Sequence, residues 1–125
     1  METRLLIAGE QVAGEGPGLD VENPYTLATL TTVPLPSPEQ VDAAIAAARA
    51  AARGWGDTPA VERCELLHEV AARLRARTDE LAELMTREGG KPRVENADEI
   101  GWTAAAFDYY AEVRRNFAGR VILSS

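Results

Sequence analysis

A chain of 125 residues is long enough for one compact domain and too short for two, and its 46% of hydrophobic residues excludes a wholly disordered polypeptide. Twenty acidic against thirteen basic residues give a formal net charge of −7, so we expect no nucleic-acid partner and no membrane partner. The single cysteine, Cys64, excludes an intramolecular disulfide and favours a reducing compartment. The apolar run at residues 5–7 is too short for a signal peptide or a membrane helix, and we therefore expect a cytoplasmic protein.

Short strands are predicted in the first third of the chain. Residues 5–7 and 11–12 lie on either side of a glycine turn and predict a hairpin. Residues 19–22 alternate apolar with acidic side chains, which indicates a half-buried strand, and the Asn-Pro pair that follows ends it. Residues 27–33 are rich in threonine, leucine and valine, and they predict another strand that stops before Pro34.

The first helix has a clear start signal. Ser37 and Gln40 have the spacing of a capping box, and the proline directly after Ser37 suits the first helical position. The apolar residues that follow recur at steps of three and four, which indicates one buried stripe: Val41, Ile45, Ala48, Ala52 and Trp55. We expect Gly54 and Gly56 to end this helix.

Further helices are predicted downstream. Thr58-Pro59 repeats the start signal, and Thr78 marks either a fresh N-cap or a kink. Residues 88–92, in which two glycines precede a lysine and a proline, indicate a helix stop with a left-handed cap. The last helix is expected over residues 93–117, with Gly119 ending it, and residues 121–125 have the composition of a strand.

Each predicted helix carries an apolar stripe that must be buried against another element. In the later helices the expected core positions are Leu67, Val70, Ala71, Leu74, Leu81, Leu84, Met85, Val94, Ile100, Ala104, Phe107, Ala111 and Val113. The aromatic residues Trp102, Tyr109 and Tyr110 are interpreted as core and not as a ligand platform. The segment is therefore predicted to be mostly α: a hairpin and strands, then three to four amphipathic helices, without a nucleotide-binding parallel sheet.

Several segments occur in an order that resembles a known family. They are residues 5–12, 21–24, 27–30, 37–44, Trp55, 88–92, 109–111 and 119–122. Taken together they are similar to the N-terminal portion of the NAD(P)-dependent aldehyde dehydrogenase superfamily, and Glu88-Gly89-Gly90-Lys91-Pro92 resembles that family's Glu-Thr-Gly-Lys-Pro turn. Three departures, at Gln11, at residues 25–27 and at Gly89, change packing and turn chemistry and leave the resemblance intact.

The resemblance implies an α/β parent fold of the aldehyde dehydrogenase type, in which residues 1–125 are an incomplete, N-terminal part of the cofactor-binding domain. Members of that family oxidise an aldehyde to a carboxylic acid: a cysteine thiolate attacks the carbonyl, hydride passes to the nicotinamide, and a glutamate-activated water releases the acid. The family's nucleophile, glutamate, oxyanion-stabilising asparagine and dinucleotide contacts all lie beyond this segment.

The resemblance therefore implies no catalytic and no cofactor-binding residue within this chain. It implies NAD or NADP as the cofactor of the parent enzyme, with neither expected to bind this chain alone. The expected partner is the remainder of the aldehyde dehydrogenase chain, and the parent enzyme is expected to be a homo-oligomer.

Cys64 and His68 are the most reactive side-chain types in the sequence, and they are spaced to meet on one helix face. As a pair they suggest a nucleophile with its base. We favour the structural interpretation, a small buried cysteine beside a histidine, because buried cysteine is usually inert. Two ligands are also too few for a zinc site.

The glycine-rich stretches do not form a nucleotide motif. A dinucleotide fingerprint that starts at Gly14 would need glycine where Leu19 stands, with a helix after it. A phosphate loop ending in Gly90-Lys91 would need serine or threonine where Pro92 stands. Both stretches are interpreted as turns.

A monovalent cation site is also implied by the resemblance. Several family members hold such an ion with backbone carbonyls just before the Asn-Pro pair and with an acidic residue of the last helix. The matching positions here are Val21, Glu22 and Glu99, although glutamate replaces the family's more usual aspartate at Glu99. Only part of the oxygen set that a hard cation needs is visible.

Two hypotheses from different classes follow. The first is the beginning of a longer aldehyde dehydrogenase, which is inactive alone and exposes apolar stripes. The second is a free-standing helical interaction module that folds alone and binds a partner helix or subunit. We prefer the first, because loss of the packing partners would leave more apolar surface than a monomer normally exposes.

Overall fold

The computed structural model describes residues 3–116 of the chain. Within that range it contains four strands and four helices: β1 (Leu5–Ile7), β2 (Glu10–Val12), β3 (Gly18–Glu22), β4 (Thr29–Pro34), α1 (Pro38–Asp57), α2 (Ala60–Ala76), α3 (Thr78–Gly89) and α4 (Arg93–Asn116). The predicted sequence of hairpin, strands and helices is confirmed. The predicted end of the last helix at Gly119 and the predicted strand at residues 121–125 lie outside the described residues.

The chain divides into two compact units. One contains the described residues up to Asp57 together with Leu84–Pro92. The other contains Thr58–Glu83 together with the described residues from Arg93 onward. Helix α3 contributes residues to both units. No helix among residues 3–116 combines the length and the apolar character needed to cross a membrane.

The first hairpin is set by its two-residue turn. Strands β1 and β2 pair antiparallel, with Leu5 opposite Val12. The turn residues Ala8 and Gly9 both have positive φ, 53° and 87°. Tight hairpins favour this combination because its twist matches that of the strands. The predicted hairpin is confirmed.

The second hairpin joins β3 to β4 with an irregularity near its open end. Gly18 pairs with Pro34 and Val21 with Thr31, but Glu22 pairs with Thr29, so the register shifts between Val21 and Glu22. The predicted strand from residue 27 in fact starts at Thr29. The reason is local: Leu27 has a φ of 58°, which belongs to a turn and not to a strand.

Helix α1 begins as predicted and ends later than predicted. The Ser37 N–H donates to Gln40 Oε1 at 3.1 Å, and the Gln40 N–H donates to Ser37 Oγ at 3.3 Å, which is the expected capping box. The prediction that Gly54 and Gly56 end the helix is wrong, because α1 continues to Asp57. Neither glycine has positive φ, so each remains an ordinary, slightly unfavourable helical residue.

Helices α2 and α3 are separated by one residue. Arg77 leaves the helical conformation, with φ −112° and ψ 15°, so the break predicted near Thr78 is confirmed. The Thr78 hydroxyl does not cap α3; it donates to the Arg75 carbonyl at 3.0 Å in the last turn of α2. Helix α2 starts one residue later than the Thr58-Pro59 signal predicts, with Pro59 at the N-cap position, where its side chain makes no capping hydrogen bond.

The core of the second unit lies where α2 meets α4. Its buried residues are mostly small, and they are Cys64, Ala71, Ala82, Asn96, Ile100, Ala104 and Ala111. Small side chains let two helix backbones approach closely, and the buried face of α4 follows the helical period from Asn96 to Ala111.

Several predicted core positions are instead exposed. They are Val41, Ile45 and Trp55 in α1, Val70 in α2, and Val94, Trp102, Tyr109, Tyr110 and Val113 in α4. In α4 the reason is that both faces are apolar. Trp102, Tyr109 and Val113 lie about 200° around the helix from Ile100, so a single contact with α2 cannot bury both sets.

Candidate functional site

Cys64 is sealed into the contact between α2 and α4. Its side chain has no exposed area, and its thiol donates to the Ala111 carbonyl oxygen at 2.9 Å. His68, one turn further along α2, hydrogen-bonds to α4 and not to the thiol. The structure therefore does not form the Cys–His pair that a nucleophile would require.

His68 is the centre of a charged cluster that joins α2 to α4. Its Nδ1 lies 2.6 Å from Asp108 Oδ1, and its Nε2 lies 3.0 Å from Glu112 Oε1. Arg75 of α2 donates to the second carboxylate oxygen of Asp108 at 2.6 Å. We call His68, Arg75, Asp108 and Glu112 the imidazole cluster.

The protonation state of His68 follows from this geometry. Ionised carboxylates accept hydrogen bonds and donate none, while a neutral imidazole has a single N–H. With a carboxylate oxygen at each ring nitrogen, both nitrogens are satisfied only in the imidazolium form. These hydrogen bonds raise the pKa of His68 above its ordinary value of 6.5. The bond to Glu112 has the larger effect, and the bond to Asp108 has the second largest.

Asp108 shifts in the opposite direction. Its hydrogen bond with His68, followed by that with Arg75, lowers the pKa of the Asp108 carboxyl below its ordinary value. All four side chains are at least about one-third exposed, so water screens these interactions. The cluster has the geometry of an ion-pair network between two helices.

The sequence interpretation missed the partners of His68. The available signal was the four-residue spacing of Asp108 and Glu112, which places two carboxylates on one face of α4. The buried Asn96 was missed as well. In the described part of the chain, no group of three or more histidine, cysteine or acidic side chains is arranged to hold a metal ion.

The glycine-rich loop before β3 is used for chain packing. The Gly16 N–H donates to the Leu35 carbonyl at 2.8 Å, and the Leu35 N–H donates to the Pro17 carbonyl at 3.0 Å. A Cβ atom on Gly14 would overlap the Pro34 carbonyl oxygen. These glycines are required because another backbone segment occupies the space beside them.

Gln40 ties that loop to α1. Its Oε1 accepts the Glu15 N–H at 3.0 Å as well as the capping-box bond from Ser37. Its Nε2 donates to the Ala13 carbonyl at 2.8 Å. One side chain therefore fixes both the start of α1 and the course of the loop.

The Asn-Pro segment forms a turn that approaches the end of α3. Asn23 Oδ1 accepts the N–H groups of Tyr25 and Thr26 at 2.9 and 3.2 Å. Gly90 has a φ of 75°, as the predicted left-handed cap requires. A Cβ on Gly90 would lie 2.8 Å from Pro24 Cγ, so both the conformation and the close approach require glycine at this position.

The residues of the expected cation site lie in different elements. Val21 and Glu22 are in β3, on either side of its register shift. Glu99 is in α4, where its backbone carbonyl accepts the Thr103 hydroxyl at 2.8 Å. The site would depend mainly on backbone carbonyls and stays a prediction.

Comparison with known proteins identifies relatives of this chain. The model of the aldehyde dehydrogenase family matches residues 12–125. Lactaldehyde dehydrogenase of Escherichia coli (strain K12) is 36% identical over 121 residues, which cover 96% of this chain and 25% of that protein. Aminoaldehyde dehydrogenase 2 of Zea mays is 37% identical over 110 residues, which cover 84% of this chain and 22% of that protein.

The fold is shared with solved structures. An NAD-dependent benzaldehyde dehydrogenase from Corynebacterium glutamicum matches 98% of this chain with a TM-score of 0.92 at 29% identity, and the match covers 27% of that protein. The chain thus spans about a quarter of the length of the relatives it matches. The resemblance and the parent fold expected from the ordered sequence segments are confirmed: the chain belongs to the aldehyde dehydrogenase family.

Proposed function

We propose that this chain is the N-terminal part of the cofactor-binding domain of an enzyme that oxidises an aldehyde to a carboxylic acid with NAD or NADP. The observation that carries the proposal is the match in fold over 98% of the chain to 27% of a benzaldehyde dehydrogenase. The names of the relatives, lactaldehyde and aminoaldehyde dehydrogenases, support a small aldehyde as the substrate class.

The exposed apolar residues support an incomplete domain. Trp102 is 75% exposed, Tyr109 is 64% exposed and Ile45 is 61% exposed. Helix α4 is apolar on two faces and buries only one of them, and a helix of that kind is normally covered on both sides. We infer that the remainder of the enzyme's polypeptide covers the second face.

We assign no catalytic residue to this chain. Its one cysteine is sealed against Ala111, and its glycine-rich loop packs on residues 34–36. We infer that the dinucleotide contacts and the nicotinamide chemistry belong to other parts of the enzyme. We further infer that the enzyme is a cytoplasmic homo-oligomer.

The test compares two polypeptides, the 125-residue chain and the complete reading frame that contains it. We expect aldehyde-dependent formation of NADH or NADPH from the longer polypeptide and none from the chain alone. If the 125-residue chain oxidises an aldehyde by itself and loses that activity in Cys64→Ser, the proposal is wrong.

A second measurement separates the enzyme fragment from a free-standing interaction module. Size-exclusion chromatography and thermal melting of the isolated chain would show aggregated or molten material for a domain that lacks its packing partners. A single soluble species that melts cooperatively would favour the module.

A further inference from the structure

The imidazole cluster bridges α2 and α4, the two helices that the Cys64 thiol also joins. Along α2, Cys64 and His68 lie one turn apart, and both face α4. Their partners on α4 are also neighbours, since Ala111 lies between Asp108 and Glu112. A separation of α4 from α2 would therefore break the thiol contact and the charged contacts together.

We propose that His68, Asp108 and Glu112 form a pH-operated clamp that fastens α4 to α2. In the closed state the imidazolium donates one N–H to each carboxylate, and Arg75 holds the other oxygen of Asp108. When the imidazolium loses a proton, one ring nitrogen keeps a lone pair that faces a carboxylate. That contact is repulsive, and the helix–helix contact weakens.

The charged groups that face the imidazole come from both helices. Asp108 and Glu112 approach from α4, and Arg75 of α2 faces Asp108. The pKa of His68 is raised above 6.5, first by Glu112 and then by Asp108. A group of this kind stabilises the closed state fully below its unfolded pKa and loses that contribution as the pH rises through the folded value. The clamp is therefore closed in mildly acidic solution and loosens on the alkaline side.

Cys64 and His68 can themselves report the separation of α4 from α2. Trypsin cleavage after Arg63 and Arg73 yields one peptide, residues 64–73, that carries both Cys64 and His68. Deuterium exchange at the imidazole carbon of this peptide gives the pKa of His68, and alkylation of the same peptide gives the accessibility of the thiol. Both labels are introduced into the folded, full polypeptide of the enzyme and are then read by mass spectrometry in this one peptide.

The experiment measures both quantities in the full polypeptide across the neutral pH range. The alkylation rate is divided by the rate of the denatured protein at the same pH, which removes the pH dependence of thiolate formation. We expect the normalised rate to rise through the measured pKa of His68. Each unit by which that pKa exceeds the denatured value corresponds to a roughly tenfold tighter closure at low pH, so the two readouts must agree.

Two substitutions make the test specific. Glu112→Gln removes a carboxylate that touches the imidazole, and we expect it to lower the pKa of His68 and to shift the rise in alkylation with it. Glu69→Gln is the matched control, because Glu69 pairs with Arg73 on the surface of α2, and we expect it to shift neither quantity comparably. A normalised rate that is independent of pH, or a His68 that titrates at or below the denatured value of about 6.5, overturns the proposal.

Discussion

At the residue scale, two glycines of this chain differ in what an added methyl group would meet. A Cβ on Gly14 overlaps the Pro34 carbonyl oxygen, whereas a Cβ on Gly54 meets nothing within 4 Å. We expect Gly14→Ala to lower the free energy of unfolding by about 1–3 kcal/mol, because the added atom has no room. Gly54→Ala, inside α1, is expected to raise it by about 0.5–1 kcal/mol.

Urea denaturation of the complete enzyme and of its two glycine variants checks the pair, and each variant serves as the other's control. Equal effects of the two alanines would show that Gly14 is not confined by residues 34–36. The dinucleotide interpretation of the same loop would instead predict a loss of cofactor affinity at unchanged stability.

His68 gives the stability a pH dependence whose sign is fixed by the direction of its shift. Its pKa is raised, so its contribution to the free energy of unfolding is complete below about pH 6.5 and declines as the pH rises through the folded value. We expect the midpoint of urea denaturation of the complete enzyme to be lower in mildly alkaline than in mildly acidic solution. His68→Gln is expected to remove that fall, and an equal fall in the variant would show that other groups cause it.

Asp108 has the opposite sign. Its pKa is lowered by His68 first and by Arg75 second, so its contribution is present above about pH 4 and is lost as the pH falls through the lowered value. Asp108→Asn is expected to flatten the acid limb of the stability profile and to lower the pKa of His68. The second effect can be measured directly by titration of the imidazole, and its absence would contradict the hydrogen bond between the two side chains.

At the element scale, the Gln40 side chain stabilises both the start of α1 and the loop before β3 through its hydrogen bonds. Gln40→Ala removes two accepted bonds and one donated bond. We expect a loss of about 1–2 kcal/mol in the free energy of unfolding, as for the removal of a helix cap. Arg49→Ala, which changes an exposed residue in the middle of the same helix, is expected to stay within about 0.5 kcal/mol. A similar loss in both variants would contradict the special role of Gln40.

The elements that the sequence predicts well are those whose signals are local. The capping box of α1 and the glycine stop of α3 depend on residues within one turn, and both predictions are confirmed. The end of α1 was predicted wrongly because Gly54 and Gly56 are compatible with a helix as well as with a stop. The late start of β4 depends on the positive φ of Leu27, a conformation that leucine seldom adopts and that composition does not indicate.

The candidate site was less predictable than the elements, for a physical reason. The partners of His68 lie 40 and 44 positions further along the chain, and only the packing of α2 on α4 brings them together. The same packing decides which of the two apolar faces of α4 is buried. The sequence predicts both Ile100 and Trp102 as core residues, and the structure buries the first and exposes the second.

At the scale of the whole molecule, the unburied surface is the feature that relates this chain to its family. The chain matches about a quarter of a related enzyme, and on the proposed function its exposed apolar faces contact the remainder of that fold. The face formed by Trp102, Tyr109 and Val113 therefore has opposite effects in the two settings. We expect it to act as a hydrophobic patch that promotes association in the isolated chain, and as an internal contact in the complete enzyme.

Trp102→Gln tests this difference. In the isolated chain we expect a larger soluble fraction and weaker binding of a hydrophobic dye, because the substitution removes exposed apolar area without touching the α2–α4 core. In the complete enzyme we expect the same change to destabilise, by about 3 kcal/mol or more, since it replaces a large buried side chain. Ala104→Gln, on the buried face of α4, is the control and is expected to destabilise both polypeptides. If Trp102→Gln leaves the stability of the complete enzyme unchanged, this face is a solvent-exposed surface there too, and the remainder of the chain does not cover it.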